Sequence, residues 1–408
     1  MRLADGGSTA RSRYGSSMTA SWSARPVAIV CPRYAPAVGG VERYVEQLAL
    51  GLMARGVPVE IVATDPGSRR PSMEMRGGIT VRRFPTLAGD AIYYVSPQLT
   101  HWLRHRAGRY SLLHAHNLHT LVPLAASWGA GRANIPLVLT AHYHGSGHTP
   151  FRNVLHVPYR PLARRVVRAA ARVVCNSNAE YQLLRRDFGA DIRSIVIPEG
   201  IDPPWALDEP PPGEAGGAFA IPDRDPDGAA DRVSILSVGR LETYKGVEHI
   251  VAALPFLPAD HRLVVVGSGP ARERIERTAA RLGVSGRVLL CGRVPDDELR
   301  AWYARAAVAV SLSGHESFGL TVLESAAAGA PVVASDIPAH RESVAYAPPG
   351  RISLVALKAD GETVARAITA ARDQGRWNDR SGWRLPTWDT LVDGILTTYE
   401  SLLTTPRV

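Results

Sequence analysis

A chain of 408 residues, 45% hydrophobic and 21% charged, is too apolar to be disordered as a whole and long enough for two or three domains at about 100 to 200 residues each. Its apolar runs are all broken by a charge, Gly or Pro well short of the ~20 residues a membrane-spanning helix needs, and Cys31, Cys175 and Cys291 form neither a disulfide framework nor a zinc-binding C-x-x-C pair, which fits a reducing cytosol. The net charge of +9 is unevenly spread: residues 1–202 hold 25 Arg against 12 Asp and Glu, +13, while the rest hold 22 basic and 26 acidic residues, −4.

Residues 1–25 are rich in Ser, Gly and Arg and lack an apolar core segment, so a disordered basic tail is expected there rather than a signal peptide. From Val27 onward short apolar runs alternate with amphipathic stretches. Strands are expected at Val27–Val30, Val59–Ala63, Leu112–His114, Leu137–Thr140, Val173–Cys175 and Ser194–Ile197, and Val41, Tyr44, Val45, Leu48, Leu52 and Met53 keep helical spacing up to Gly56. Alternating strand and helix predict a parallel, doubly wound sheet over residues 26–202. Seven Pro and four Gly between Asp202 and Gly228 predict a connector over 203–230. Alternation restarts with Val233–Val238, Arg262–Val266, Val288–Leu290, Val308–Ser311 and Pro331–Ala334, predicting a second doubly wound domain over 231–375. Residues 376–408 contain Trp377, Trp383 and Trp388 and an amphipathic helix from about Thr387 to Leu403.

Ligands of such sheets bind outside the carboxyl ends of the strands, and four clusters fall there. Gly39 and Gly40, in V-G-G-V-E, open the first helix, where bare backbone N–H groups suit a phosphate; Gly-Gly before a helix is also ordinary turn chemistry. Gly239 and Arg240, in S-V-G-R-L, are followed by Lys245, one of only two lysines against 45 Arg. In so Arg-rich a chain, a motif lysine marks a place for a compact ammonium, as a pyrophosphate would need, although the spacing is not that of a nucleoside-triphosphatase loop. In G-H-E-S-F-G-L-T-V-L-E, Glu316 is expected in a loop, the backbone N–H groups of Phe318, Gly319 and Leu320 at a helix start, and Glu324 about two turns down. His142, Tyr143 and His144 end a strand of the first domain at the cleft.

Together these motifs resemble glycosyltransferase family 4, over roughly residues 27–345. The most specific piece is the E-x7-E signature Glu316 to Glu324, with A-x-G-x-P-V-V-A behind it; then V-G-R-L with K-G four residues on, and G-G-V-E-R-Y. The resemblance implies a GT-B fold, two Rossmann-like domains facing across a cleft with a C-terminal helix crossing back to the first, and retaining transfer of a hexose-type sugar from a UDP- or GDP-sugar to a hydroxyl of a glycan, lipid-linked or small-molecule acceptor. It implies that Arg240 and Lys245 neutralise the donor diphosphate, Glu324 holds the ribose, Glu316 faces the transferred sugar and His142 lies beside the anomeric centre. Gly39 and Gly40 would close over the donor phosphates, Arg293 and Val294 would line the base pocket, and Tyr143 and His144 would lie on the acceptor side. Two places depart from the family pattern: Glu199 stands where P-N-G-[IV]-D has Asn, and Ile337-Pro-Ala-His-Arg-Glu342 replaces G-G-x-x-E.

Two cations and two helix N-termini can stabilise a leaving diphosphate without a metal, so no metal and no cofactor beyond the co-substrate is expected. The other metal candidates are Asp223 to Asp227, in the connector with no strand before it, and the clusters His114, His116, His119 and His142, His144, His148. Two histidines at i and i+2 on a strand can chelate zinc, but no carboxylate accompanies either cluster, and cleft-lining or structural roles are expected. Arg-rich helical stretches at His101–Arg109 and Arg160–Arg172 suit an anionic membrane surface as well as plain solvation. The expected location is therefore cytoplasmic, with attachment at the inner membrane face left open. Without a helix-turn-helix, zinc-finger or RNA-binding signature, nucleic acid is not an expected partner. Two alternatives stay open: epimerase or hydrolase chemistry on a nucleotide sugar, and a non-catalytic glycan-binding homologue.

Overall fold

The structure, a computed structural model, describes residues 25–37, 39–67, 70, 72–87, 93–145, 150–201, 233–377 and 383–404. The expected tail up to residue 24, the whole connector 203–230 with Asp223 to Asp227, and His148 lie outside these residues. The first domain is built on β1 (Val27–Cys31), β2 (Val59–Asp65), β3 (Met73–Arg76), β4 (Ile79–Pro85), β5 (Leu113–His116), β6 (Leu137–Thr140), β7 (Arg172–Cys175) and β8 (Ser194–Val196), in the order β3-β4-β2-β1-β5-β6-β7-β8. The second holds β9 (Val233–Val238), β10 (His261–Val266), β11 (Val288–Gly292), β12 (Val308–Ser311), β13 (Val332–Ser335) and β14 (Ile352–Val355), in the order β11-β10-β9-β12-β13-β14. Every pairing is parallel except β3 with β4. Helices on both faces bury β1 and β2 along their whole length; β1 reads accordingly as an unbroken apolar run, while β2 also buries Glu60, Thr64 and Asp65, Glu60 paired with Arg82 at 2.9 Å.

Three strands were not anticipated. β3 and β4 form a hairpin around Gly77 and Gly78, with φ 55° and 79°, the paired positive values that a two-residue turn demands and glycine supplies. The exposed residues of β3 hid it from a search for apolar runs. β14 escaped because it is only four residues long and half of it is incompletely buried.

The two domains are joined where the chain leaves the first and where it returns. Ile201 N–H donates to Pro386 O at 2.9 Å, and Ile201 bridges Thr387. The helix Trp388–Thr404 then packs on the first domain, as expected. Leu391, Val392, Ile395 and Tyr399 share one core with Tyr44, Val45 and Leu48 of the helix Gly40–Ala54, and Arg55 reaches Asp389 at 3.0 Å and Asp393 at 2.6 Å.

Candidate active site

Strand order reverses between β1 and β5 in one sheet and between β9 and β12 in the other. These are the points where an open α/β sheet leaves a crevice, and the two face each other across a cleft of about 930 Å³.

The second-domain wall begins at the end of β9. Gly239 turns there with φ 150°, and its carbonyl oxygen comes so close to Gly267 that a Cβ on Gly267 would collide with it. Arg240 is exposed to the cleft. Lys245 ends a single turn of 3₁₀ helix and places Nζ 2.6 Å from Glu316 Oε1. Burial pulls the ammonium down and pushes the carboxyl up, but their mutual attraction outweighs both: Lys245 is held above its ordinary value and Glu316 below. The pair is ionised at neutral pH.

Glu316 lies in the loop after β12. The helix that follows, Leu320–Ala327, is capped by Gly319 at φ 90°, a left-handed position where a side chain would also press on Ser343 Oγ at 2.9 Å. Because this helix starts at Leu320, Glu324 sits one turn into it rather than two. Its Oε2 accepts from Tyr303 Oη at 2.9 Å and its Oε1 from Arg43 at 3.3 Å. Phe318, Gly319 and Leu320 line the cleft between the two carboxylates, and Arg293 and Val294 line it after β11, with Arg293 Nε donating to Ser268 Oγ at 3.2 Å.

On the first-domain wall Gly39 and Gly40 begin the helix Gly40–Ala54, and a Cβ on Gly40 would meet nothing within 4 Å, so this position faces open cleft. His142 leaves β6 with φ 46°. Its Nδ1 lies 3.1 Å from Asn176 Nδ2 and its Nε2 3.3 Å from His116 Nδ1; burial lowers its pKa to about 3, so the ring is neutral. His144 lines the cleft and stacks between His119, centroids 4.0 Å apart, and His315, 5.1 Å away. His315 in turn stacks on Tyr244 at 4.1 Å, so a column of rings crosses from one domain to the other. Tyr143 does not belong to this wall: its ring is buried and its hydroxyl donates to Asp187 at 2.8 Å, while its neighbours His142 and His144 line the cleft.

Several residues at the cleft or behind it were missed. Arg43 stands inside the G-G-V-E-R-Y motif, yet its pairing across the cleft with Glu324 has no local signal. Asn176 and Glu180 follow β7, and the strand-end rule applied to that strand would have found them. Glu180 accepts from the backbone N–H groups of Tyr143 and Asn176. Glu199, in place of the expected Asn, is buried at the cleft, where burial pushes its pKa up to about 8, Arg43 opposing and Glu180 and Glu324 reinforcing the shift. The divergent segment Ile337–Glu342 also touches the first domain. Glu342 accepts from the N–H groups of Asn178 and Ala179 at 3.0 and 3.1 Å, and Ser177 Oγ donates to Ser317 O at 2.6 Å.

Comparison with known proteins agrees with this geometry. Residues 38–204 match the sequence profile described as Glycosyltransferase Family 4, and residues 223–372 the one described as Glycosyl transferases group 1. A D-inositol 3-phosphate glycosyltransferase of Xylanimonas cellulosilytica is 31% identical over 380 residues, 85% of this chain and 88% of that protein. One of Thermomonospora curvata is 30% identical over 401 residues, 88% of this chain and 90% of that protein. Sucrose-phosphate synthase of Thermosynechococcus elongatus superimposes with a TM-score of 0.75 at 22% identity, covering 93% of this chain and 99% of that one. The Anabaena protein HepE in complex with UDP-glucose does so at 0.70 and 19%, covering 92% and 100%. The structural neighbours establish the GT-B fold, and with the sequence relatives they make this chain a glycosyltransferase of family 4.

Proposed function

We propose that this enzyme moves a hexose-type sugar from a UDP- or GDP-sugar to a hydroxyl acceptor, with retention at the anomeric carbon and without a bound metal ion. The observation that carries this reading is the meeting in one cleft of Arg240, Lys245 and the start of the helix Leu320–Ala327 on the donor side with the Gly39–Gly40 helix start opposite. As the nucleoside diphosphate departs, negative charge grows on its oxygens. Fixed cations and backbone amides aimed at that charge stabilise the transition state more than the ground state.

Lys245 enters this step already charged and oriented by Glu316. When the donor phosphate takes over the ammonium, Glu316 is released to accept hydroxyls of the transferred sugar. Glu324, held by Tyr303, would accept the ribose hydroxyls, with Arg43 giving way. His142 is neutral and both its ring nitrogens are engaged, so it acts through its placement beside the sugar rather than as a general base. A front-face displacement needs no protein base: the acceptor oxygen bonds to the anomeric carbon as the bond to phosphate breaks, and the acceptor proton passes to the departing phosphate oxygen. Hydrolysis or epimerisation would call for a carboxyl pair free to exchange protons. Of the donor-side pair, Glu316 is salt-bridged to Lys245 and Glu324 is bonded to Tyr303 and Arg43, so neither is free for that role.

On the acceptor side the curated relatives are named for an inositol phosphate, and Arg43 and Arg76 line the first-domain wall. Both support a hydroxyl acceptor that carries negative charge. The test is thermal-shift screening with UDP, GDP and their sugars, each with and without D-inositol 3-phosphate, since ligands that bind the native state raise Tm by mass action. A shift with one nucleoside diphosphate and its sugar supports the reading; no shift with any of them at millimolar concentration overturns it.

A further inference from the structure

Beneath the cleft, a run of buried polar side chains leads from His142 to the last helix of the chain. Asn176 donates its amide N–H to His142 Nδ1, which leaves the His142 proton on Nε2, facing His116 Nδ1 at 3.3 Å. His116 lies against His114, ring centroids 4.3 Å apart. His114 has Tyr399 Oη 2.6 Å from its Nδ1 and Thr140 Oγ1 2.7 Å from its Nε2. With the tyrosine donating to Nδ1, the other nitrogen of a neutral ring carries the proton and donates to Thr140. Thr140 is the last residue of β6, two before His142. All of these except His142 itself, which is 8% exposed, are wholly inaccessible to solvent.

A histidine at φ 46° occupies a region that most residues avoid and that persists only where the surroundings over-determine it. Here they do. Glu180 grips the backbone just after His142, and His114 holds the side-chain hydroxyl of Thr140, two residues before it. We propose that Tyr399 is a positioning residue for glycosyl transfer: through His114 and Thr140 it fixes the strand end that carries His142, and with it the orientation of that imidazole. The proposal rests on the reading that His142 lies beside the transferred sugar. Its consequence is that a residue following the whole second domain in sequence completes the first-domain half of the site. Without Tyr399 the His114 imidazole loses one partner inside a dry polar network and is free to change tautomer or tilt, which loosens its hold on Thr140.

The test is Tyr399→Phe, which removes one oxygen and keeps the packed ring. Histidine side chains are read by nitrogen-15 NMR, with His142 assigned by its disappearance in His142→Gln. The expected result is a shifted and broadened Nε2–H signal of His142, while the thermal shift given by UDP or GDP stays as in the parent protein. With the nucleotide sugar that shifts Tm most, kcat should fall about tenfold at unchanged donor KM, as for a reacting group moved slightly out of place. An unmoved His142 signal in Tyr399→Phe overturns the proposal. Tyr110→Phe, which alters a buried tyrosine of the same domain outside the run, controls for loss of stability alone; if it moves the His142 signal equally, the proposal falls. His142→Ala tests the underlying reading by itself. Native turnover in that variant would remove His142 from the reaction and leave the NMR result on Tyr399 standing.

Discussion

Lys245 and Glu316 hold each other 2.6 Å apart in the cleft, and that pairing explains why a lysine stands here in a chain whose basic residues are almost all arginine. A point charge can be passed from a carboxylate to a phosphate without the planar geometry a guanidinium would impose. Lys245→Ala or Arg240→Ala should lower kcat by ~10²-fold or more, as removal of other preorganised charge-stabilising groups does. Lys245→Arg should also be impaired, and steady-state kinetics with the donor varied checks all three. Glu199 sets a second expectation. Its folded pKa of about 8 lies above its unfolded value, so its contribution to stability is complete below about pH 4.5 and is lost as pH rises through 8. Glu199→Gln removes that loss. The variant should melt about 2 to 4 °C above the parent at pH 9 and together with it at pH 5; equal Tm values at both pH values would contradict the buried-carboxyl account. At this scale the donor-side residues were legible, because each lies in a contiguous motif after a strand. Arg43 was not, because its partner Glu324 lies in the other domain; Asn176 and Glu180 follow β7 and were open to the same strand-end rule, and Tyr143 was misplaced because a neighbour in sequence need not share a face.

At the scale of elements, the contact between the first helix and the last gives the sharpest expectation. Gly51 lies in the middle of the helix Gly40–Ala54, where alanine would ordinarily be favoured by about 1 kcal/mol. A Cβ there would sit 2.5 Å from Val392 Cγ2, so overpacking should reverse the sign and cost ~1–3 kcal/mol. Gly51→Ala should therefore lower Tm, and adding Val392→Ala should recover part of the loss; a stabilised Gly51→Ala would mean that the two helices do not pack as described. The existence of the last helix was readable from its amphipathic spacing, and its return to the first domain came from family resemblance, since no local pattern says which sheet a helix covers. The β3–β4 hairpin carried its signal in Gly77-Gly78 rather than in apolar alternation, and so passed unnoticed.

Over the whole molecule, the positive charge is concentrated in the first domain, 21 Arg against 11 Asp and Glu over residues 26–202, whereas residues 231–375 hold 17 basic and 16 acidic residues and the −4 beyond residue 202 comes from the connector; the helix Pro150–Ala169 presents Arg160, Arg164, Arg165 and Arg168 outward while Ala163, Val166 and Val167 face the core. No helix among the described residues is long and apolar enough to cross a membrane. If the basic face meets a lipid surface, at ~1 kcal/mol per basic residue near it, the protein should sediment with anionic vesicles at low salt and be released at high salt; retention in the supernatant at low salt would assign the face to solvent. The central claim, that two cations and helix termini hold the donor diphosphate without metal, is tested most directly by titration calorimetry of UDP and GDP in the presence of EDTA. One of them should bind the parent protein and lose at least tenfold in affinity to the Arg240→Ala, Lys245→Ala double variant. Binding that requires added Mg²⁺ or Mn²⁺, or that the double variant leaves unchanged, would contradict it.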